Sequence, residues 1–140
     1  MRKINKIIIH CTATIEGKEY SVDTIRQWHL QRGFKDVGYH YIIHLDGTIE
    51  TGRPIQQIGA HCRGQNKNSI GICYVGGLDT QLNAKDTRTQ EQKESLHKLI
   101  NDLMKQYNLT YNDVYTHNHF ANKDCPCFSL EQLHKEIQSS

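Results

Sequence analysis

The chain has no apolar run near the roughly 20 residues that a membrane-spanning helix needs, which excludes a helical membrane span. It has only two prolines and no repeat or low-complexity tract, so nothing in it reads as a linker between domains. A strong charge of either sign is missing too. Seventeen Lys and Arg against 15 Asp and Glu leave a formal charge of +2. That is far from the clustered basic excess of a nucleic-acid-binding domain, and no nucleic acid is expected as a partner. The scattered Lys and Arg read as a solvated surface. An export leader is lacking as well: after Arg2 and Lys3 the apolar stretch Ile7–Ile9 is short of the roughly 7–15 residues of a signal core, and His10 interrupts it. Synthesis in the cytoplasm without a signal peptide is the expectation. Finally, the cysteines do not make an even set. Cys11, Cys62, Cys73, Cys125 and Cys127 are an odd count among nine histidines, which fits metal ligation or buried thiols better than a disulfide framework.

What is present is the composition of one ordinary soluble domain spanning residues 1–140, 36% hydrophobic and 23% charged. A chain of this length buries a core without needing a staple. Lys6–His10 is short and β-branched, hence a buried strand with His10 at its carboxyl end. Cys11 then points to the opposite face and, like Cys73, reads as core. Ser21 caps a helix to about Arg32 in which Val22, Ile25 and Trp28 or His29 share a face, and Gly33 ends it. Trp28 is expected to pack in the core, and His29, His97 and His134 to be surface or packing residues. Tyr39–His44, the turn Asp46-Gly47 and Thr48–Thr51 spell a β-hairpin. Ser69–Val75 is an apolar strand, expected to be central, stopped by Gly76-Gly77. Thr89 with Gln92 opens the longest helix, whose stripe is Leu96, Leu99, Ile100, Leu103, Met104 and Tyr107. Val114–Thr116 is a short strand leading into His117, and Ser129 with Gln132 caps a last helix. Strands alternating with helices predict an α/β domain with a central mixed sheet flanked by helices.

His10 and His117 stand at strand ends, and Cys125 lies eight positions beyond His117. Two imidazoles and a thiolate bind Zn²⁺ and leave its fourth position open for water, as catalytic zinc sites do. Spacing alone does not select this set, because no compact ligand motif is present, and His119 and Cys127 lie close enough to serve instead.

Six segments in order carry a resemblance: Ile8-Ile9-His10-Cys11-Thr12-Ala13-Thr14, Ile25-Arg26-Gln27-Trp28-His29, Asp36-Val37-Gly38-Tyr39-His40-Tyr41, Gly59-Ala60-His61, Asn68-Ser69-Ile70-Gly71-Ile72 and Lys123-Asp124-Cys125-Pro126. In sequence and separation they resemble the type 2 N-acetylmuramoyl-L-alanine amidases, most of all the short phage lysozymes of that family, from about Lys6 to Phe128. The resemblance implies the amidase and peptidoglycan-recognition-protein fold with Zn²⁺ in a surface groove. It implies the metal ligands His10, His117 and Cys125, the catalytic residues Tyr39 and Lys123, and hydrolysis of the lactyl-L-alanine amide of peptidoglycan. The candidate substrate contacts are His61 and Asn68: His61 falls in the Gly-x-His segment that borders the groove and reads equally as a substrate contact or a structural residue, and Asn68 reads equally as a contact to the muramyl group or peptide or as a turn-forming residue before its strand. Around the second ligand the chain departs from the phage members: Asn118 and His119 follow His117, and Asn122 precedes Lys123.

Two other functions accompany the resemblance. Some recognition proteins keep the fold and lose the thiolate, and here the retention of His10, His117, Cys125 and Tyr39 argues for catalysis instead. Some short phage amidases also bind a phage RNA polymerase, a contact little supported by the nine residues ahead of His10. The expected partner is peptidoglycan or a soluble muropeptide, met by a monomer either at the cell wall after release or injection, or in the cytosol.

Overall fold

The computed structural model describes residues 2–139. In chain order the elements are β1 (Lys6–Cys11), β2 (Thr14–Ile15), α1 (Val22–Gln31), β3 (Tyr41–Ile43), β4 (Ile49–Thr51), β5 (Ser69–Tyr74), β6 (Gly77–Leu78), α2 (Gln90–Tyr107), β7 (Val114–Thr116), α3 (His117–Phe120) and α4 (Leu130–Ser139). Three consecutive isoleucines make β1 stiff and apolar on both faces, the composition of a strand covered on both sides. All three are fully buried. The main sheet runs β4-β3-β5-β1-β7, so β5 is central as its sequence predicts. Every pairing in it is parallel except the β3–β4 hairpin. β2 and β6 form a separate parallel pair, too short to be legible in the sequence.

Helices cover both faces of the sheet. On one side Ile7, Ile9 and Cys11 pack with Ile70, Ile72 and Tyr74 against Leu96, Ile100 and Leu103 of α2 and Leu133 and Ile137 of α4. On the other, Val22 and Ile25 of α1 pack with Ile42 and Val75, and Trp28 lies against them as a packing residue. Alternation along β1 therefore turns His10 toward the α1 side and Cys11 away from it. Each fully buried Ile or Leu contributes roughly 1.5–3 kcal/mol.

The helix ends follow their sequence signals. Ser21 accepts from the Thr24 amide, and Thr89 and Gln92 make a reciprocal capping box. Gln92 does more than cap: fully buried, its carboxamide also donates to the carbonyls of Ile43 and Val75, tying α2 to the ends of β3 and β5. Gly33, at φ +91°, reverses the chain after α1. One cation departs from the surface reading. The Arg88 side chain is fully buried, paired bidentately with Asp86 and Glu136 and stacked 3.7 Å from the Phe128 ring centroid. Guanidinium, unlike ammonium, satisfies two carboxylates and an aromatic face at once. Among the described residues, no helix is long and apolar enough to cross a membrane.

Candidate active site

β1 and β7 are parallel neighbours with Ile9 opposite Thr116, so the next residue on each strand, His10 and His117, emerges at the same level beyond the sheet. Their Nδ1 atoms stand 3.1 Å apart. Cys125 arrives from the loop between α3 and α4. Its Sγ accepts the Cys11 amide at 3.2 Å and lies 3.9 Å from His10 Nδ1. Two bonds fix this loop: the Tyr74 hydroxyl donates to the Pro126 carbonyl, and the Asn118 carboxamide donates to the Phe128 carbonyl. Asn118 thus helps hold the Cys125 loop in place.

The ligand atoms of His10, His117 and Cys125 lie within 4.8 Å of one another, and no other three His, Cys, Asp or Glu converge in this way among the described residues. His119 instead stacks on Tyr115, and Cys127 faces Cys11 and the Gly77 carbonyl. A tetrahedral ion with metal–nitrogen and metal–sulfur distances of about 2.05 and 2.3 Å needs N···N near ~3.3 Å and N···S near ~3.6 Å. The observed 3.1 and 3.9 Å fit a metal with that donor set. Burial pushes the pKa of His10 well below its usual value, helped by the neighbouring His61, His117 and Lys123. Burial and then Lys123 also lower His117. Both rings are therefore neutral, the form that binds a metal.

The site opens into a groove of about 880 Å³. Arg32, Arg63 and Lys123 line it and no Asp or Glu does. Tyr39 stands on its floor, its ring centroid 5.2 Å from that of His10 and 5.3 Å from that of His29. Burial, with the thiols of Cys73, Cys125 and Cys11 nearby, raises its phenol well above the ordinary range, so it is a proton donor and not a phenolate. Lys123 is on the exposed rim.

The two candidate substrate contacts separate. His61 lines the groove, but both its nitrogens face protein: Nδ1 is 2.8 Å from His10 Nε2 and Nε2 is 3.2 Å from Ser69 Oγ. Asn68 does not reach the groove, because its carboxamide donates to the Lys3 carbonyl at 2.7 Å and ties down the start of the chain. Asn66 takes its place on the wall, accepting the amides of His61 and Cys62. His29, expected as a surface or packing residue, also lines the groove. It shares the buried face of α1 with Val22 and Ile25, and its Nδ1 accepts the Gly38 amide. The 22, 25, 29 spacing carried that signal. His97 and His134 fit the packing reading: His97 pairs with Glu136, and His134 with the Val114 carbonyl.

Residues 1–128 match the family described as N-acetylmuramoyl-L-alanine amidase. An endolysin of Klebsiella phage KP32 is 40% identical over 131 residues, covering 94% of this chain and 85% of the phage protein. The N-acetylmuramoyl-L-alanine amidase LysC from Clostridium intestinale URNW superposes with a TM-score of 0.82 at 30% identity, over 98% of this chain and 87% of that one. PGRP-SA of Apis mellifera, at 24% identity, shares the fold with a TM-score of 0.76, over 95% of this chain and 82% of that one. The chain belongs to the N-acetylmuramoyl-L-alanine amidase family and is a hydrolase of that class.

Proposed function

We propose that residues 1–140 act as one zinc amidase domain that hydrolyses the amide between the lactyl group of N-acetylmuramic acid and L-alanine, with Zn²⁺ held by His10, His117 and Cys125. The observation that carries this reading is the convergence of these three donors, and no other such set among the described residues, beside the phenol of Tyr39 and at the wall of an open groove. The ion, when bound, supplies Lewis acidity toward water and the scissile carbonyl.

The chain's own groups do the rest. The Lys123 ammonium on the rim donates a charge-assisted hydrogen bond to the oxygen that gains negative charge as the amide is attacked. Tyr39, held protonated and braced by the His29 ring, donates from its phenolic O–H and orients the attacking water or the same oxygen. The carboxylate-free wall with Arg32 and Arg63 suits the anionic stem peptide. The protein acts as a monomer, on the wall of a bacterial cell after release through a membrane pore or injection, or on soluble muropeptides in the cytosol.

The test is peptide release from purified peptidoglycan, followed by mass spectrometry, before and after chelation and after zinc is restored. Expected are peptides beginning with L-alanine that vanish on chelation, return with zinc, and are never made by Cys125→Ser. Intact muropeptides under every condition, with binding to peptidoglycan retained, would identify a recognition module instead.

A further inference from the structure

His10 has two ring nitrogens, and only one of them faces the cluster. For Nδ1 to ligate a cation through its lone pair, the single proton of the neutral ring must sit on Nε2. That Nε2 is buried and points at His61 Nδ1, 2.8 Å away. The rings meet edge-on, with centroids 4.8 Å apart and planes at 86°, so an in-plane N–H of one can meet an in-plane lone pair of the other. If His10 Nε2–H donates, His61 Nδ1 accepts, and the His61 proton lies on its Nε2. There it has one partner, Ser69 Oγ at 3.2 Å, on a residue with no exposed surface. Every proton in the series is thereby assigned in one direction.

The His61 ring is held from two further sides. Its backbone amide donates to Asn66 Oδ1. Its ring lies on Gly71 of β5 so closely that a Cβ there would sit 2.6 Å from its Cγ and Cδ2. With both nitrogens bonded within the protein, His61 has no ring nitrogen left to offer a substrate.

Resting on the reading of His10 as a metal ligand, we propose that His61, backed by Ser69 and seated on Gly71, is a positioning residue that fixes His10 in the tautomer and ring orientation that bind a divalent cation. The role is that of the carboxylate or carbonyl behind a metal-bound histidine, filled here by a second imidazole.

The test is zinc affinity, measured by competition with a chromophoric chelator, together with the absorption spectrum of the cobalt(II)-loaded protein. His61→Phe keeps the ring volume and removes the acceptor; His61→Asn restores an acceptor where Nδ1 stood. Expected is a 10–100-fold weaker zinc affinity for His61→Phe with an altered cobalt spectrum, most of it recovered in His61→Asn, while metal-free muropeptide binding is unchanged. Gly71→Ala, whose Cβ would crowd the ring at Cγ, Cδ2 and Nδ1 and displace it while leaving both nitrogens in the chain, is expected to weaken zinc in the same way. Wild-type zinc affinity in His61→Phe combined with weakened muropeptide binding would overturn the proposal and return His61 to substrate contact. A wild-type protein that binds neither zinc nor cobalt, matching Cys125→Ser, would overturn the metal reading itself and the positioning role with it.

Discussion

Acidification should destabilise this protein through two histidines outside the ligand set. His40 is 1% exposed; its Nδ1 accepts the Gly71 amide, and its Nε2–H donates to the Gln57 carbonyl. His29 is 6% exposed and its Nδ1 accepts the Gly38 amide. Protonating either Nδ1 breaks a bond to a buried amide. Burial first, then nearby arginines, hold both folded-state pKa values at about 4, against 6.5 in the unfolded chain. A basic group whose folded pKa is depressed gives the unfolded state more protons, so its stabilisation is complete above about pH 6.5 and is lost as pH falls toward 4. At pH ~5 each ring costs about 2 kcal/mol and the pair about 4 kcal/mol, a large share of an ordinary domain's ~5–15 kcal/mol. The assay is urea unfolding of chelator-treated protein at pH ~7.5 and ~5, with the histidine ring protons followed by NMR and assigned through His29→Gln and His40→Gln. A stability unchanged across that interval, or either ring titrating near 6.5, would refute the reasoning.

Lys123→Ala should lower kcat about 10²–10³-fold while zinc affinity holds, because the group acts on developing charge and not on the metal; an equal rise in KM with kcat intact would count against it. Arg88→Met should destabilise the fold by about 3–5 kcal/mol in urea, since it strands Asp86 and Glu136 in a part-buried site, and should leave activity per folded molecule intact. Thr89→Ala removes one half of the α2 capping box and should cost about 1 kcal/mol by the same measurement, with no change in zinc affinity.

Local signals made much of the fold legible. The Asp46-Gly47 turn, the Thr89–Gln92 box and the stripe of α2 each depend on neighbours within a few residues, and each forms where its spacing puts it. The metal set needed more. Nothing local tells Cys125 from Cys127 or His117 from His119; His117 is selected because it directly follows β7, level with His10, and Cys125 because the α3–α4 loop, held by Tyr74 and Asn118, turns it toward His10 while Cys127 meets Cys11. Asn68 has two open readings in the sequence because a turn-forming carboxamide bonds whichever backbone is near, here Lys3, and only the folded chain shows which. Arg88 read as surface because its partners Glu136 and Phe128 lie about forty or more positions away in sequence.

The strand that carries the first ligand has no alternation to fix its register. Ile7, Ile8 and Ile9 are equally apolar, so a slip of one residue along β5 and β7 would leave those three satisfied on either face. The last two residues break the symmetry. Such a slip would turn His10 into the cluster of Tyr74 and Phe128 where Cys11 now lies, and would bring Cys11 to the mouth of the groove. An imidazole buried there without partners costs roughly 2–7 kcal/mol, whereas in the native register both its nitrogens are met by His117, Cys125 and His61. The polar partners that prepare His10 to hold a metal are thus also what sets the register of β1, and the candidate site and the fold are specified by the same few contacts.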